Sequence, residues 1–258
     1  MNPFNALTVP EPWLATPVDD GTAEQFCTTC VFGQLCMPQG FSKQALHRLH
    51  CLIEHVGPFQ AGQTIFRAQD PFTAVFSVRA GLVKTILIDE RGREQVLGFY
   101  TPGELIGLDA VHTAKYPCAA VALDTTLLCR FSFGAMANLA QELPSLQNTL
   151  FLTMSRSITA AQWGRGDYPA EVKFAGFLLD WGRRLARRGF SGRHFVLPMA
   201  RTDIASFLSL APETVSRVIR KMSDDGIAAF DRREVQLLKQ DVLVRMASVM
   251  PTFDLEIG

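Results

Sequence analysis

At 258 residues, with 48% apolar and 19% charged side chains, the chain has the composition of a packed protein of one large or two modest domains, not of a disordered one. No run of about 18 uncharged apolar residues offers a membrane span, and Val18, Asp19, Asp20 and Glu24 interrupt any secretory-type start, so a cytoplasmic protein without membrane attachment is expected. The formal net charge is zero, but Arg183, Arg184, Arg187, Arg188 and Arg193 form a basic stretch with no acid among them, and Arg217, Arg220 and Lys221 follow.

Residues 1–25 carry Pro3, Pro10, Pro12 and Pro17 without a period and read as a mobile arm. From Phe41 to His55, Leu46, Leu49, Leu52 and Ile53 recur at helical spacing until Gly57-Pro58 stops the pattern, which predicts a short helix. His47, His50 and His55 lie along it as a solvated face, and Cys51 reads as core. Between about 58 and 133 the pattern changes to short β-rich runs, Ala74–Val78, Leu82–Ile88, Gln95–Tyr100 and Ala119–Phe133. Turn signals at Ala80-Gly81, Glu90-Arg91-Gly92 and Thr101-Pro102-Gly103 separate them, so an antiparallel barrel or jelly roll is predicted. From Leu143 the period lengthens. Leu146, Leu150, Phe151, Met154, Ile158 and Ala161 fall in steps of three and four, with Gln147 on the same face. That face suits either packing on the chain's own barrel or a seam between two protomers. Gly164, Gly166 and Pro169 then break the helix and read as a hinge.

Residues Arg201 to Met222, RTDIASFLSLAPETVSRVIRKM, read as two short amphipathic helices around Leu208-Ser209-Leu210-Ala211. Ile204, Leu208, Leu210, Val215 and Val218 supply the inward face, small Ala205 allows a close crossing, and Pro212 suits the first turn of the second helix. Glu213, Ser216, Arg217 and Arg220 then lie outside. These residue types read base edges: Arg bonds bidentately to guanine, Glu accepts from a cytosine amino group, and Ser serves base or phosphate. Arg220 and Lys221 could grip the backbone. After Gly226, strands Ile227–Phe230 and Glu234–Leu238 flank Asp231-Arg232-Arg233, the pattern of a wing with two arginines for phosphates. The plainer alternative is a helical hairpin with a solvated charged face.

Cys27, Cys30 and Cys36 form C-x2-C-x5-C, while Cys118 and Cys129 stand in the barrel. Six cysteines in a reducing compartment favour metal ligation or redox chemistry over disulfides. Three closely spaced thiolates leave a fourth position for Cys129 or Cys118. Zinc and an iron–sulfur cluster both accept four cysteines, and spacing does not separate them.

With these elements in place, the chain from about Cys27 to Ala247 resembles the oxygen-responsive fumarate and nitrate reduction regulators of the CRP/FNR superfamily. The matching stretches include CTTCVFGQLC, PGELIGLDAV, ARRGFSGRHFVLPMARTDI and APETVSRV. The resemblance implies an α+β fold with an N-terminal antiparallel β jelly-roll sensor domain, a long dimerisation helix and a C-terminal winged helix-turn-helix. The corresponding spans are 26–142, 143–166 and 167–248. It further implies a 4Fe-4S cluster held by Cys27, Cys30, Cys36 and, in LDTTLLCRF, Cys129, with Cys118 a spare. By the same resemblance, the cluster favours a homodimer on palindromic double-stranded DNA, and oxygen converts it to a smaller cluster, loosening the dimer and releasing DNA. Glu213, Ser216 and Arg217 map to the residues that read a TTGAT-like half-site, and the regulated genes would serve respiration and oxygen limitation. Leu150, Phe151, Met154, Ile158 and Ala161 would form the dimer seam.

Cyclic-nucleotide sensing, another use of such a barrel, needs an Arg and a hydroxyl together before Cys129, where Ala119 and Ala120 stand. Ala161 replaces an acidic residue common on the dimer helix of relatives, which removes repulsion across a seam and suggests a dimer less dependent on the cluster. The helix ends early at Gly164-Arg165-Gly166, and Ser209 stands where relatives often have glycine. Val31 and Phe32 beside the ligands either slow oxygen access or simply pack. Arg91-Gly92-Arg93 could touch RNA polymerase or be a plain hairpin tip. Nothing arranges a nucleophile, base and oxyanion donors, so a regulator is expected and not an enzyme. The rivals are the same architecture built on zinc, or on haem through His112, and an iron–sulfur electron-transfer module, which would have no need of a C-terminal reader.

Overall fold

The computed structural model describes residues 53–249, apart from the side chains of residues 156 and 160–165. Two compact units divide the chain, one within Met1–Gly92 and Gly98–Ser155, the other made of Arg93–Leu97 and Arg156–Gly258. In the first part of the chain the strands are β1 (Ile53–Phe59), β2 (Thr64–Phe66), β3 (Ala74–Ala80), β4 (Val83–Ile88), β5 (Glu94–Tyr100), β6 (Leu105–Ile106), β7 (Ala119–Ala122) and β8 (Thr126–Ser132). They form two four-stranded sheets, β1-β8-β3-β6 and β2-β7-β4-β5, the jelly roll expected from the sequence. Val75, Phe76, Val83, Ile106 and Leu128 are all at most 1% exposed in the space between. Phe66 stacks on Tyr116 with ring centroids 4.0 Å apart, and the Tyr116 hydroxyl donates to the Ala74 carbonyl at 2.7 Å, so the buried phenol is satisfied. The Ala80-Gly81 turn admits only glycine: Gly81 has φ +85°, and a Cβ there would sit 2.4 Å from the Thr125 carbonyl oxygen.

Three sequence expectations are corrected here. The helix predicted to run to His55 cannot do so, because β1 already begins at Ile53. Residues Ile53–Val56 pair antiparallel with Phe131–Leu128 of β8, and Ile53 and Val56 pack on the barrel core, so a non-local ladder overrides the local helical period. Gly57-Pro58, read as a stop, instead lies inside β1 where the register shifts between Val56 and Phe59. The single run Ala119–Phe133 is broken in two at Leu123-Asp124-Thr125. There the Asp124 carboxylate accepts the Thr125 N–H at 2.6 Å and the Thr126 hydroxyl donates to the Asp124 carbonyl at 2.8 Å.

Helix α1 (Phe133–Glu142), absent from the sequence reading, follows β8 directly and buries Met136, Leu139 and Ala140. Helix α2 (Pro144–Arg165) starts on a proline, whose missing N–H costs nothing in a first turn, and ends where the glycines predicted. Its apolar residues part company. Leu146 is 2% exposed in the barrel core, and Leu150 and Met154 pack against that core. Phe151, Leu152 and Ile158 stay outside, at 60%, 48% and 61% exposure.

The second unit contains α3 (Ala170–Ala186), β9 (His194–Val196), α4 (Arg201–Phe207), α5 (Pro212–Asp224), β10 (Ala228–Asp231), β11 (Glu234–Leu237) and α6 (Gln240–Ala247). Its three-stranded sheet has the order β10-β11-β9. Phe174, Leu178, Ile204, Leu208, Val215, Met222 and Leu243 form a core in which none exceeds 1% exposure except Ile204 at 2%. The sequence pattern predicts neither α3 nor β9, whereas α4, α5 and the hairpin of β10 and β11 match their predicted spans within a residue or two at each end.

Candidate nucleic-acid interface and cysteine site

Three helices of the second unit end in the same way. In α3, Gly189 donates to the Ala186 carbonyl and Phe190 to Leu185; in α5, Gly226 donates to Ser223 and Ile227 to Met222. In α4, Ser209 donates to Ser206 and Leu210 to Ala205. All three are Schellman endings, which satisfy carbonyls left free at a helix C-terminus and need one left-handed residue. Gly189 and Gly226 supply it at φ 79° and 60°, but α4 uses Ser209 at φ 54°. A further carbonyl of this turn is held from elsewhere: Lys173 of α3, only 8% exposed, donates its ammonium to the Leu208 carbonyl at 3.3 Å. The turn between α4 and α5 is therefore built on a left-handed serine and a buried lysine.

Beyond the turn, Ala211 precedes Pro212 at the first position of α5. Val215, Val218, Ile219 and Met222 face inward, and Ala205, 1% exposed, lies at the crossing. Glu213, Ser216, Arg217, Arg220 and Lys221 are all exposed. At about 100° per residue the first four share an arc of roughly 100°, with Lys221 on its flank. The Ser216 hydroxyl donates to the Pro212 carbonyl at 3.0 Å and the Arg217 Nε to the Glu213 carbonyl at 3.4 Å, so both side chains rest on their own helix. The Lys221 ammonium lies 3.2 Å from the Glu171 carboxylate at the start of α3. At the β10–β11 tip Arg232 adopts φ 53° and both Arg232 and Arg233 are exposed. In the basic stretch, Arg183 and Arg184 pair with Asp180 at 4.0 and 3.6 Å, favourable for cations in a last helical turn, while Arg187 and Arg193 are exposed.

Cys27, Cys30, Cys36 and Cys51 lie outside the described residues, as does the side chain of Ala161. The two barrel cysteines have unlike surroundings, although neither is in a disulfide. Cys118 is 1% exposed, and its thiol donates to the Asp109 carboxylate at 3.6 Å. Burial, then the charge of Asp109, push that thiol up to about 12. Burial also raises Asp109, and pushes Tyr100 up to about 12. Cys129 is half-buried on β8 at the margin of the barrel core, opposite His55 of β1 and Ser77 of β3. His55 Nδ1 lies 3.0 Å from Arg79 Nη1, and the neighbouring Arg130 donates to Glu54 at 2.8 Å. A metal or cluster ligand must be a thiolate. Burial and the Asp109 carboxylate both oppose that state at Cys118. Among the described residues no three His, Cys, Asp or Glu side chains gather as a metal site. His112 is exposed on a loop, and Ala119 and Ala120, 8% and 0% exposed, present only methyl groups from β7.

Comparison with known proteins agrees with this geometry. The cyclic nucleotide-binding domain family matches residues 57–142, and the Crp-like helix-turn-helix domain family matches residues 172–246. The fumarate nitrate reduction regulatory protein of Klebsiella oxytoca is 33% identical over 248 residues, 93% of this chain and 97% of that protein. The transcriptional activator protein anr of Pseudomonas aeruginosa is 36% identical over 224 residues, 86% of this chain and 92% of its own length. Among solved structures, FixK2 from Bradyrhizobium japonicum superimposes with a TM-score of 0.68 at 25% identity, covering 75% of this chain and 96% of that one. No helix among the described residues is long and apolar enough to cross a membrane. The chain belongs to the CRP/FNR family, as a DNA-binding transcription regulator of the fumarate and nitrate reduction type and not an enzyme.

Proposed function

We propose that the protein is a cytoplasmic, oxygen-responsive regulator that holds a 4Fe-4S cluster through Cys27, Cys30, Cys36 and Cys129. As a homodimer it binds palindromic TTGAT-like sites and controls genes of anaerobic respiration. The observation that carries the choice of fourth ligand is the contrast between the two barrel thiols: Cys118 is buried and donates to the Asp109 carboxylate, whereas Cys129 stands half-buried on β8 next to β1, the strand that follows the Cys27–Cys36 segment in the chain. The cluster, when bound, supplies the oxygen reactivity; the chain supplies the ligands, the dimer and the reader.

Exposed Phe151 and Ile158 on α2 support the seam, with Leu150 and Met154 steadying the same helix on the barrel and Ala161 continuing the pattern. A palindromic site whose half-sites lie about one helical turn apart needs two α5 helices presented together, so dimerisation sets affinity. Glu213, Ser216 and Arg217 read bases, while Arg220, Lys221 and the Arg232-Arg233 tip hold phosphates. The exposed hairpin tip at Arg91-Gly92-Arg93, with Gly92 at φ 74°, is the proposed contact for RNA polymerase. Ala119 and Ala120 offer no phosphate clamp, so no cyclic nucleotide is assigned. Without an acid at position 161 the dimer persists in part when the cluster is lost.

The test is an anaerobic visible spectrum with iron and sulfide analysis, followed by admission of air. The proposal expects a broad brown absorbance that changes in air, is lost in Cys129→Ala and is kept in Cys118→Ala. Zinc alone, or loss of the absorbance in Cys118→Ala instead, overturns it.

A further inference from the structure

We propose that Glu171 is a positioning residue for DNA binding: it holds Lys221 as an internal substitute for phosphate, and Lys221 changes partner when DNA arrives. The inference rests on the phosphate role proposed above for Lys221. Glu171 stands in the first turn of α3 and Lys221 in the last turn of α5, 50 positions away, so their meeting is a product of the fold. The Lys221 ammonium donates to Glu171 Oε1 at 3.2 Å while its side chain stays 61% exposed, held but not enclosed.

The Glu171 carboxylate accepts its own backbone N–H and the Lys221 ammonium, and both interactions hold its carboxyl below the usual range. It is therefore an anion at neutral pH, aimed at a cation on the flank of the reading arc. Exposed pairs of this kind contribute little to stability. Such a pair is weak enough for a DNA phosphate, backed by a dense line of like charges, to displace it. The exchange subtracts from the electrostatic part of binding, because Lys221 gives up one anion to gain another and Glu171 is left ionised beside the duplex.

Glu171→Gln keeps an acceptor for the α3 N–H and removes the charge. Binding of the dimer to duplex DNA is measured across a range of salt concentrations for wild type, Glu171→Gln, Lys221→Gln and the double variant, with thermal melting as a check on folding. Glu171→Gln is expected to bind about 3- to 30-fold more tightly at low salt. Its salt dependence should steepen by about one phosphate contact per protomer. The gain should vanish in the Lys221→Gln background, as a residue acting through Lys221 requires. A gain that survives in that background means direct repulsion of DNA by Glu171 and overturns the exchange. An unchanged Glu171→Gln beside a weakened Lys221→Gln overturns it while keeping Lys221 as a phosphate contact. If neither variant alters the salt dependence, the phosphate role of Lys221 fails as well. Weaker binding with a lowered melting temperature makes Glu171 a clip between α3 and α5, and overturns the proposal too.

Discussion

Replacing Phe151 by alanine should weaken the dimer and leave the barrel intact. Phe151 is 60% exposed although its neighbour Leu150 packs on the core. A phenylalanine side chain that can bury about 150–250 Å² therefore offers roughly 90–150 Å² to a partner. At about 25 cal/mol per Å² that area corresponds to roughly 2–4 kcal/mol. In a two-fold dimer the contact occurs twice, but ordering and association costs absorb part of the gain. The net loss is set at about 2–4 kcal/mol, a rise of about 30- to 1000-fold in the dimer dissociation constant. Sedimentation velocity across a concentration series, under anaerobic conditions, measures it directly. Leu146→Ala is the contrasting variant: Leu146 is 2% exposed in the barrel core, and its truncation should lower unfolding free energy by about 2–5 kcal/mol. An unchanged dimer constant for Phe151→Ala, or a loss of thermal stability as large as that of Leu146→Ala, refutes the seam on this face.

The other expectations concern the turn and the buried acids. Ser209→Gly relieves a left-handed serine at φ 54°, partly offset by the greater freedom of glycine in the unfolded chain, so a gain of about 0.5–1 kcal/mol in the stability of the DNA-binding unit is expected by thermal melting. A drop in melting temperature would mean that the Ser209 side chain contributes more than its backbone costs. In alkali, the folded protein keeps protons that the unfolded chain releases: Cys118 moves from an ordinary 9.0 to about 12 and Tyr100 from 10.0 to about 12. Their contribution is complete below about pH 9 and is lost as pH rises toward 12, so denaturant midpoints should fall across that window. Cys118→Ala should flatten the fall, and an unchanged slope would refute the assignment.

The sequence shows the reader more clearly than the barrel because the signals differ in range. Pro212, small Ala205 and the Val215–Val218 spacing are local and mark α4 and α5, as Gly226 and the Asp231-Arg232-Arg233 turn mark the wing strands. β1 is not local. IEHVGPF becomes a strand only because β8 lies beside it, and its Ile53 completes a helical pattern when read alone. α3 is hidden for another reason. Gly176 and Gly182 stand inside it, and it is buried around much of its circumference, so the usual one-sided stripe is blurred. Within the site, the exposure of Glu213, Ser216 and Arg217 follows from helical phase, but Lys173 beneath the turn and Glu171 beside Lys221 carry no sequence signal. A lysine and a glutamate on a predicted helix read as solvated charges. Spacing leaves Cys118 and Cys129 equal and the resemblance alone prefers Cys129; the burial of Cys118 against the Asp109 carboxylate has no sequence signal.

Helix α2 carries its two duties on adjacent residues, Leu150 toward the barrel and Phe151 away from it. One residue of helix is about 100° of rotation. The two faces therefore share a single phase and cannot be adjusted separately. A roll that pulled Leu150 and Met154 off the barrel would swing Phe151 and Ile158 by the same angle. In the proposed dimer, loss of packing inside one protomer would then be felt as misalignment by the other, with α2 a cam shaft in which the lobe and the bearing are cut from one rod.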